Sequence, residues 1–196
     1  MATPKILTSI FGNRLGLAPS NRLVVGDRLP SVVPAVAFTN TAASTAVTNT
    51  VTETLFDQFC TIPAKHLQPG QLIKIRYQGI ATATNSTDTL TIKLYIGGLT
   101  GTALISPAAT DVANTAVFQG ETELIIRTIG SSGTMVGVGS YKSVPAAEGT
   151  MTIKDDILAS TTIDTTTSKV IGVSATWSVA NAGNSCRLDF LKVELA

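Results

Sequence analysis

Regular alternation of apolar and polar side chains constrains this chain more than any other feature. The alternation is clearest in residues 73–77, 90–96 and 171–179. Because successive side chains of a β-strand point to opposite faces, a period of two predicts half-buried strands. The same reasoning predicts further strands over residues 45–61, 116–129, 133–142, 150–158 and 185–195.

The last of these segments changes phase along its length. Leu188 and Phe190 point one way in an ideal strand, whereas Leu191, Val193 and Leu195 point the other way. Since a shift of one residue exchanges the two faces, this change predicts a β-bulge or a strand covered on both sides.

Turn-forming residues separate the predicted strands, and they decide the fold class. They cluster at 68–70, 85–88, 97–98, 130–133 and 181–184. No helical pattern of 10–15 residues lies between the strands, which disfavours parallel βαβ units. We therefore predict an all-β protein built as an antiparallel β-sandwich. Its count of about eight strands favours a jelly roll, although the periodicity alone also fits an immunoglobulin-like sandwich.

The first 36 residues differ from the rest and predict an extended N-terminal arm and linker, followed by a sandwich domain over 37–196. The arm has a net charge of about +3, whereas the remainder has about −2. Its apolar residues follow no regular period, and Gly and Pro interrupt them. We expect the arm to anchor the protein to a partner through these residues: Ile6, Leu7, Ile10, Phe11, Arg14, Leu15, Leu17, Arg22 and Arg28.

The proportion of charged residues is low and favours an assembly. Only 14% of residues are charged, against about 25% in an average globular protein. Protein surfaces usually rely on charge for solubility, whereas the centres of protein interfaces are depleted in it. The alternative is a monomer covered by Thr, Ser and Asn. A net charge of +1 gives no general electrostatic case for nucleic-acid binding.

The cysteines and the lengths of the apolar runs indicate the cellular compartment. Cys60 and Cys186 are too few for a disulfide framework and lack CxxC spacing, so we expect two buried, reduced thiols. No run approaches the roughly 20 apolar residues of a membrane span. With no signal-peptide pattern, we expect synthesis in a cytoplasm.

Candidate catalytic residues are few. The chain has one histidine, His66, on which any Ser-His-Asp or Cys-His mechanism would depend. It precedes a predicted strand, and Cys60 lies at no recognised motif spacing from it, so we expect an exposed loop histidine.

The carboxylates predict no metal site. In a strand, Asp155 and Asp156 would point to opposite faces; in a turn, Ca²⁺ or Mg²⁺ binding is conceivable, but a plain polar turn is the stronger expectation. Glu121 and Glu123 would share one strand face and repel each other unless a cation lies between them. We therefore expect no enzyme activity, no catalytic residue, no cofactor and no metal.

Two further patterns have simple structural explanations. Residues 130–139 are rich in glycine but lack the GK[ST] ending and following helix of a phosphate loop. Trp177 and Tyr141 could stack on a sugar, yet Trp177 has the inward phase of its strand, so we expect it in the core.

A specific motif begins with Thr61-Ile62-Pro63-Ala64 and continues as GIATATNSTDTLTIKLYIGG at 79–98. With this motif, the sequence resembles a recurrent module of tailed-bacteriophage virion proteins over residues 48–56, 61–64 and 72–98. The hairpin at 177–195 is similar to the same module less specifically. Modules of this kind are trimeric jelly rolls found in head decoration (cement) proteins and in tail fibres or spikes.

The resemblance implies a structural virion protein on the capsid surface, with itself as a homotrimer and the major capsid protein as partners. It implies no direct contact with nucleic acid or membrane. A tail-fibre or spike protein with a carbohydrate- or receptor-binding sandwich is the alternative. The 196-residue length leaves no long shaft, which favours the head. An enzyme acting on carbohydrate is disfavoured by the missing pair of carboxylates.

Overall fold

The fold is an antiparallel β-sandwich, as predicted. The computed structural model describes residues 35–85, 87–112, 114–145 and 151–196. Over these residues the chain forms two antiparallel sheets of seven and six strands, and its one helical segment is the 3₁₀ turn Gly98–Thr100. No helix among them is long and apolar enough to cross a membrane.

Thirteen strands make up the two sheets. In chain order they are β1 (Ala35–Thr39), β2 (Val47–Thr48), β3 (Thr54–Leu55), β4 (Cys60–Ile62), β5 (Leu72–Ala83), β6 (Thr89–Ile96), β7 (Thr102–Ile105), β8 (Thr110–Asp111), β9 (Asn114–Thr128), β10 (Gly133–Pro145), β11 (Thr152–Ile163), β12 (Lys169–Trp177) and β13 (Ser185–Leu195).

The strand order is nested, with the first strands beside the last ones. In the seven-stranded sheet the order is β1-β13-β5-β9-β10-β11, and β2 also pairs with β13. In the six-stranded sheet it is β3-β12-β6-β7, with β4 also on β12 and β8 also on β6. Two four-position sheets wrapped in this way form a jelly roll. The predicted count of about eight strands favoured this arrangement over an immunoglobulin-like sandwich.

Strands β10 and β11 lie outside the eight positions of the jelly roll. They continue the seven-stranded sheet beyond β9, whereas the six-stranded sheet ends at β7 and β8. We call this pair the β10–β11 extension. It makes one sheet wider than the other and places β11 at the edge.

The core lies between the sheets and is built from alternate residues of each strand. Strand β5 buries Ile73, Ile75 and Tyr77, while Trp177 at the end of β12 is 1% exposed. The Trp177 indole N–H donates a hydrogen bond to the Val47 carbonyl at 3.3 Å. Trp177 is therefore a core residue, as its phase predicted.

Aromatic rings of the core lie over glycines of the neighbouring strand. Gly79 on β5 faces Phe118 on β9, and Gly120 on β9 faces Tyr77 on β5. A Cβ atom at Gly79 would overlap the Phe118 ring, and one at Gly120 would overlap the Tyr77 ring. The two glycines thus make room for the two largest side chains on this part of the sheet.

The predicted bulge in the last strand is present. The register of β13 against β5 shifts between Leu188 and Phe190, leaving Asp189 as the extra residue. The Asn40 side chain holds the bulge, since its amide donates to the Asp189 carbonyl at 3.1 Å and its oxygen accepts from the Leu191 amide at 2.7 Å. Because of the bulge, Phe190 is 36% exposed whereas Leu188 is buried. The prediction that Leu188 and Phe190 lie on the same face is therefore wrong.

One predicted strand is wrong in its extent. Residues 45–61 were expected to form a single strand, but they form the short strands β2 and β3 and the start of β4. The connection between β2 and β3 includes Asn49 in the left-handed region, at φ 49°. That conformation breaks a continuous strand.

Candidate interaction surface

The outer face of the wider sheet concentrates the exposed apolar side chains. Thirteen large hydrophobic residues are exposed in the described part of the chain, and eight of them lie between residues 114 and 163. These eight are Val117, Ile125, Ile129, Val138, Val144, Met151, Ile153 and Ile157. Scattered exposed hydrophobic residues are normal, but a concentration in one region marks an interaction surface.

Five residues of this face form what we call the apolar cluster: Leu72, Ile125, Val136, Val138 and Ile157. Leu72 lies directly opposite Ile125, and Ile125 opposite Val136, across β5, β9 and β10. On the next strand pair, Val138 lies opposite Ile157. Together they line a depression of about 440 Å³, completed by Glu123, Gly137 and Leu158.

Strand β11 presents the most exposed member of the cluster. Ile157 is 85% exposed and Ile153 is 53% exposed. Among the described residues no strand pairs with the outer edge of β11. Natural proteins usually protect such an edge, because its backbone groups can pair with another strand.

Ion pairs flank the apolar cluster. Glu123 lies 3.5 Å from Lys74 Nζ, and Glu121 lies 3.5 Å from Arg76 Nε. The two glutamates share the outer face of β9, as predicted, and cations of β5 lie beside them. All four side chains are at least 40% exposed, so each pair adds little stability.

The aspartate pair lies in strand β11, inside the predicted strand 150–158, and the alternative of a turn at this place is not formed. Asp155 lies opposite Ser140 and Asp156 opposite Gly139, on opposite faces of the sheet. Asp156 forms an ion pair with Lys154. A depression of about 410 Å³ near this pair also contains Glu121 and Glu123. Nowhere in the described residues do three or more His, Cys, Asp or Glu side chains form a group suited to a metal ion.

A polar depression lies toward the other end of the same face. It measures about 360 Å³, and its lining includes Arg76, Gln78, Gln119, Lys142 and Phe190. Gln78 and Gln119 lie directly opposite each other on β5 and β9. Amide, guanidinium and ammonium groups beside an aromatic ring can bind a hydroxyl-rich ligand through hydrogen bonds and stacking.

The outer face of the narrower sheet carries a hydrogen-bonded network around Glu53. Its carboxylate accepts hydrogen bonds from Ser174 Oγ at 2.7 Å, Tyr95 OH at 3.1 Å and Lys93 Nζ at 3.3 Å. Burial alone would raise the pKa of Glu53, but the hydrogen bond from Ser174, the charge of Lys93 and the bond from Tyr95 together lower it. Burial and then the charge of Glu53 raise the pKa of Tyr95. Burial alone would lower the pKa of Lys93, but the charge of Glu53 raises it.

This network is structural. Ser174 is fully buried, and its hydroxyl is already donated to Glu53, so it is not placed to attack a substrate. Glu53 directly precedes β3, whereas Ser174 lies on β12 and Lys93 on β6. The network therefore fastens the β3 segment to the sheet.

The histidine and the cysteines lie where the sequence predicted. His66 is exposed in the connection between β4 and β5. Cys60 and Cys186 are buried free thiols near strand ends, and burial raises the pKa of both. Among the residues that the structure describes, His66, Cys60 and Cys186 do not belong to any cluster of three or more His, Cys, Asp or Glu side chains.

The glycine-rich segment and Tyr141 belong to the sandwich itself. Residues 130–133 form the turn between β9 and β10, and residues 133–139 lie in β10. Gly139 lies against Ile105 of the opposite sheet, so its missing side chain allows close packing. Tyr141 is 1% exposed and cannot stack on a sugar at the surface.

The predicted anchoring residues lie outside the described part of the chain. They are Ile6, Leu7, Ile10, Phe11, Arg14, Leu15, Leu17, Arg22 and Arg28. Their role and the boundary at residue 36 remain predictions. The surface of the β10–β11 extension was not found from the sequence.

Comparison with known proteins gives similarity of fold at low sequence identity. No family model and no curated protein matches the chain. Among solved structures, infectious bursal disease virus (Gx strain) aligns with 83% of this chain at 15% identity and a TM-score of 0.39. The chain spans 32% of that viral chain, about a third of its length.

Two other neighbours are of similar size to this chain. Winged bean acidic lectin, in complex with methyl-alpha-D-galactose, aligns over 83% of this chain and 86% of its own, at 11% identity and a TM-score of 0.32. A Shewanella oneidensis MR-1 protein of unknown function aligns over 89% of this chain and 95% of its own, at 10% identity and a TM-score of 0.34.

Proposed function

We propose that this chain is a structural virion protein of a tailed bacteriophage, a capsid decoration protein that binds and stabilises the major capsid shell as a homotrimer. The observation that carries the proposal is the apolar cluster on the outer face of the wider sheet, where Ile157 is 85% exposed on the edge strand. A protein that acts alone gains nothing from such a surface, whereas an assembled one buries it.

The phage setting rests on the resemblance of residues 48–98. In the fold, this stretch runs from the end of β2 through β6, with buried residues from both sheets. The similar segment is thus a large part of the sandwich and not a surface loop. A trimeric jelly roll in a virion is the assembly that this resemblance implies.

The arm supplies the contact with the shell in this proposal. Its six candidate apolar anchors, among them Ile10 and Phe11, would each contribute about 1.5–3 kcal/mol when buried against the capsid, before the cost of ordering the arm. Arg14, Arg22 and Arg28 would meet acidic groups of the shell. Three arms on one trimer bind as a multivalent unit.

The side chains also fit a structural role better than a catalytic one. His66 is exposed and forms no ion pair with an acid in the described part of the chain, and burial of Ser174 keeps the Ser174–Glu53 pair away from solvent. General acid–base catalysis needs a positioned pair of titratable groups in a cleft. We therefore assign the chain no enzymatic role, and we place it on the capsid surface.

A fibre or spike protein with a carbohydrate-binding sandwich is the second candidate. The polar depression with Gln78, Gln119 and Lys142 beside Phe190 favours it, since these groups suit a sugar. A decoration protein is the stronger candidate because the exposed apolar cluster fits a permanent protein contact better than a soluble ligand.

The deciding experiment is to add the purified full-length protein to phage heads that lack it. Binding to heads, visible as added density on the shell and by co-sedimentation, supports decoration. Phe11→Asp should abolish binding, whereas Leu99→Asp, at an exposed site in the 3₁₀ turn between β6 and β7, should not. Density at the tail alone, or binding to immobilised sugars that Gln119→Ala abolishes, would favour the fibre candidate instead.

A further inference from the structure

We draw no further inference here: the strongest candidate, the apolar depression that Leu72, Ile125, Val136, Val138 and Ile157 line on the outer face of the wider sheet, carries none because nothing in the described part of the chain shows what covers this face.

Discussion

Replacing Glu53 by glutamine tests how the β3 segment is held on the six-stranded sheet. The glutamate precedes a strand of only two residues, Thr54–Leu55, which has little pairing of its own. Its carboxylate accepts hydrogen bonds from Ser174, Tyr95 and Lys93 at 2.7, 3.1 and 3.3 Å. Glutamine keeps the shape and one acceptor oxygen but removes the charge.

The expected loss of unfolding free energy follows from the hydrogen bonds that the glutamine amide keeps. Hydrogen bonds to a charged group contribute about 1.5–3 kcal/mol, against about 0.5–1.5 kcal/mol for neutral ones. The bonds from Ser174 and Tyr95 survive in the weaker form, while the partly exposed ion pair with Lys93, worth about 0.2–1 kcal/mol, is lost. We expect the free energy of unfolding to fall by about 1–2 kcal/mol, which lowers the Tm by about 2–8 °C.

The effect should depend on pH because the pKa of Glu53 is lowered in the folded state. A carboxylate with a lowered pKa stabilises the fold fully above its unfolded pKa of about 4.3. That contribution is lost as the pH falls through the folded pKa. The difference in stability between wild type and Glu53→Gln should therefore be largest near pH 7 and shrink below about pH 4.

Thermal unfolding at equal protein concentration, at pH 7 and pH 3, measures both effects. Glu123→Gln is the matched control, because Glu123 is 55% exposed and its one ion pair is with Lys74. The control should change the free energy of unfolding by less than about 0.5 kcal/mol. Equal losses for the two variants at pH 7, or a Glu53→Gln loss that is the same at both pH values, would refute the reasoning.

Three further predictions concern the core and the exposed histidine. Gly79→Ala should lower the free energy of unfolding by about 1–3 kcal/mol because its methyl group overlaps the Phe118 ring, and calorimetry should show a smaller loss for Gly172→Ala, which meets only movable Leu55 atoms. Cys60 and Cys186 should react with a thiol reagent only after unfolding, since both are buried with raised pKa values; rapid labelling of the native protein would contradict this. His66→Ala should leave Tm and capsid binding unchanged.

The alternation of side chains was enough to predict the long strands and the fold class. Residues 185–195 form β13 as predicted, and the phase change predicted between Phe190 and Leu191 correctly indicated a bulge, which lies at Asp189. Strands β5 and β6 also lie at the predicted places because each has one face in the core. A local period of two reports burial on one face, and long strands repeat it often enough to be recognised.

The shortest strands could not be found in this way. Strands β2 and β3 have two residues each, which is a single period of the pattern. Their positions are set by contacts with distant strands, such as the pairing of Ser174 with Leu55. Local sequence carries no information on such partners, so 45–61 was predicted as one strand.

The interaction surface was missed for a related reason. Ile157 is followed directly by Leu158, and Val138 lies between two glycines, so the local pattern does not show which face of these strands is covered. Which face of β10 and β11 is covered depends on the width of the opposite six-stranded sheet, and that sheet ends at β7 and β8. The sequence therefore predicted that the chain assembles, from its low charge, but not where.

The position of β13 between β1 and β5 also determines when the protein can fold. The strand is the last of the thirteen described, yet it pairs with Val47 near the start of the sandwich and with residues 73–82 of β5. Pairings between such distant segments give a high contact order, and such proteins fold in milliseconds to seconds. On the ribosome, this edge of β5 stays unpaired until residues 185–195 have emerged. The seven-stranded sheet is thus completed only once β13 has been synthesised, and until then the subunit cannot present its finished surface to an assembly.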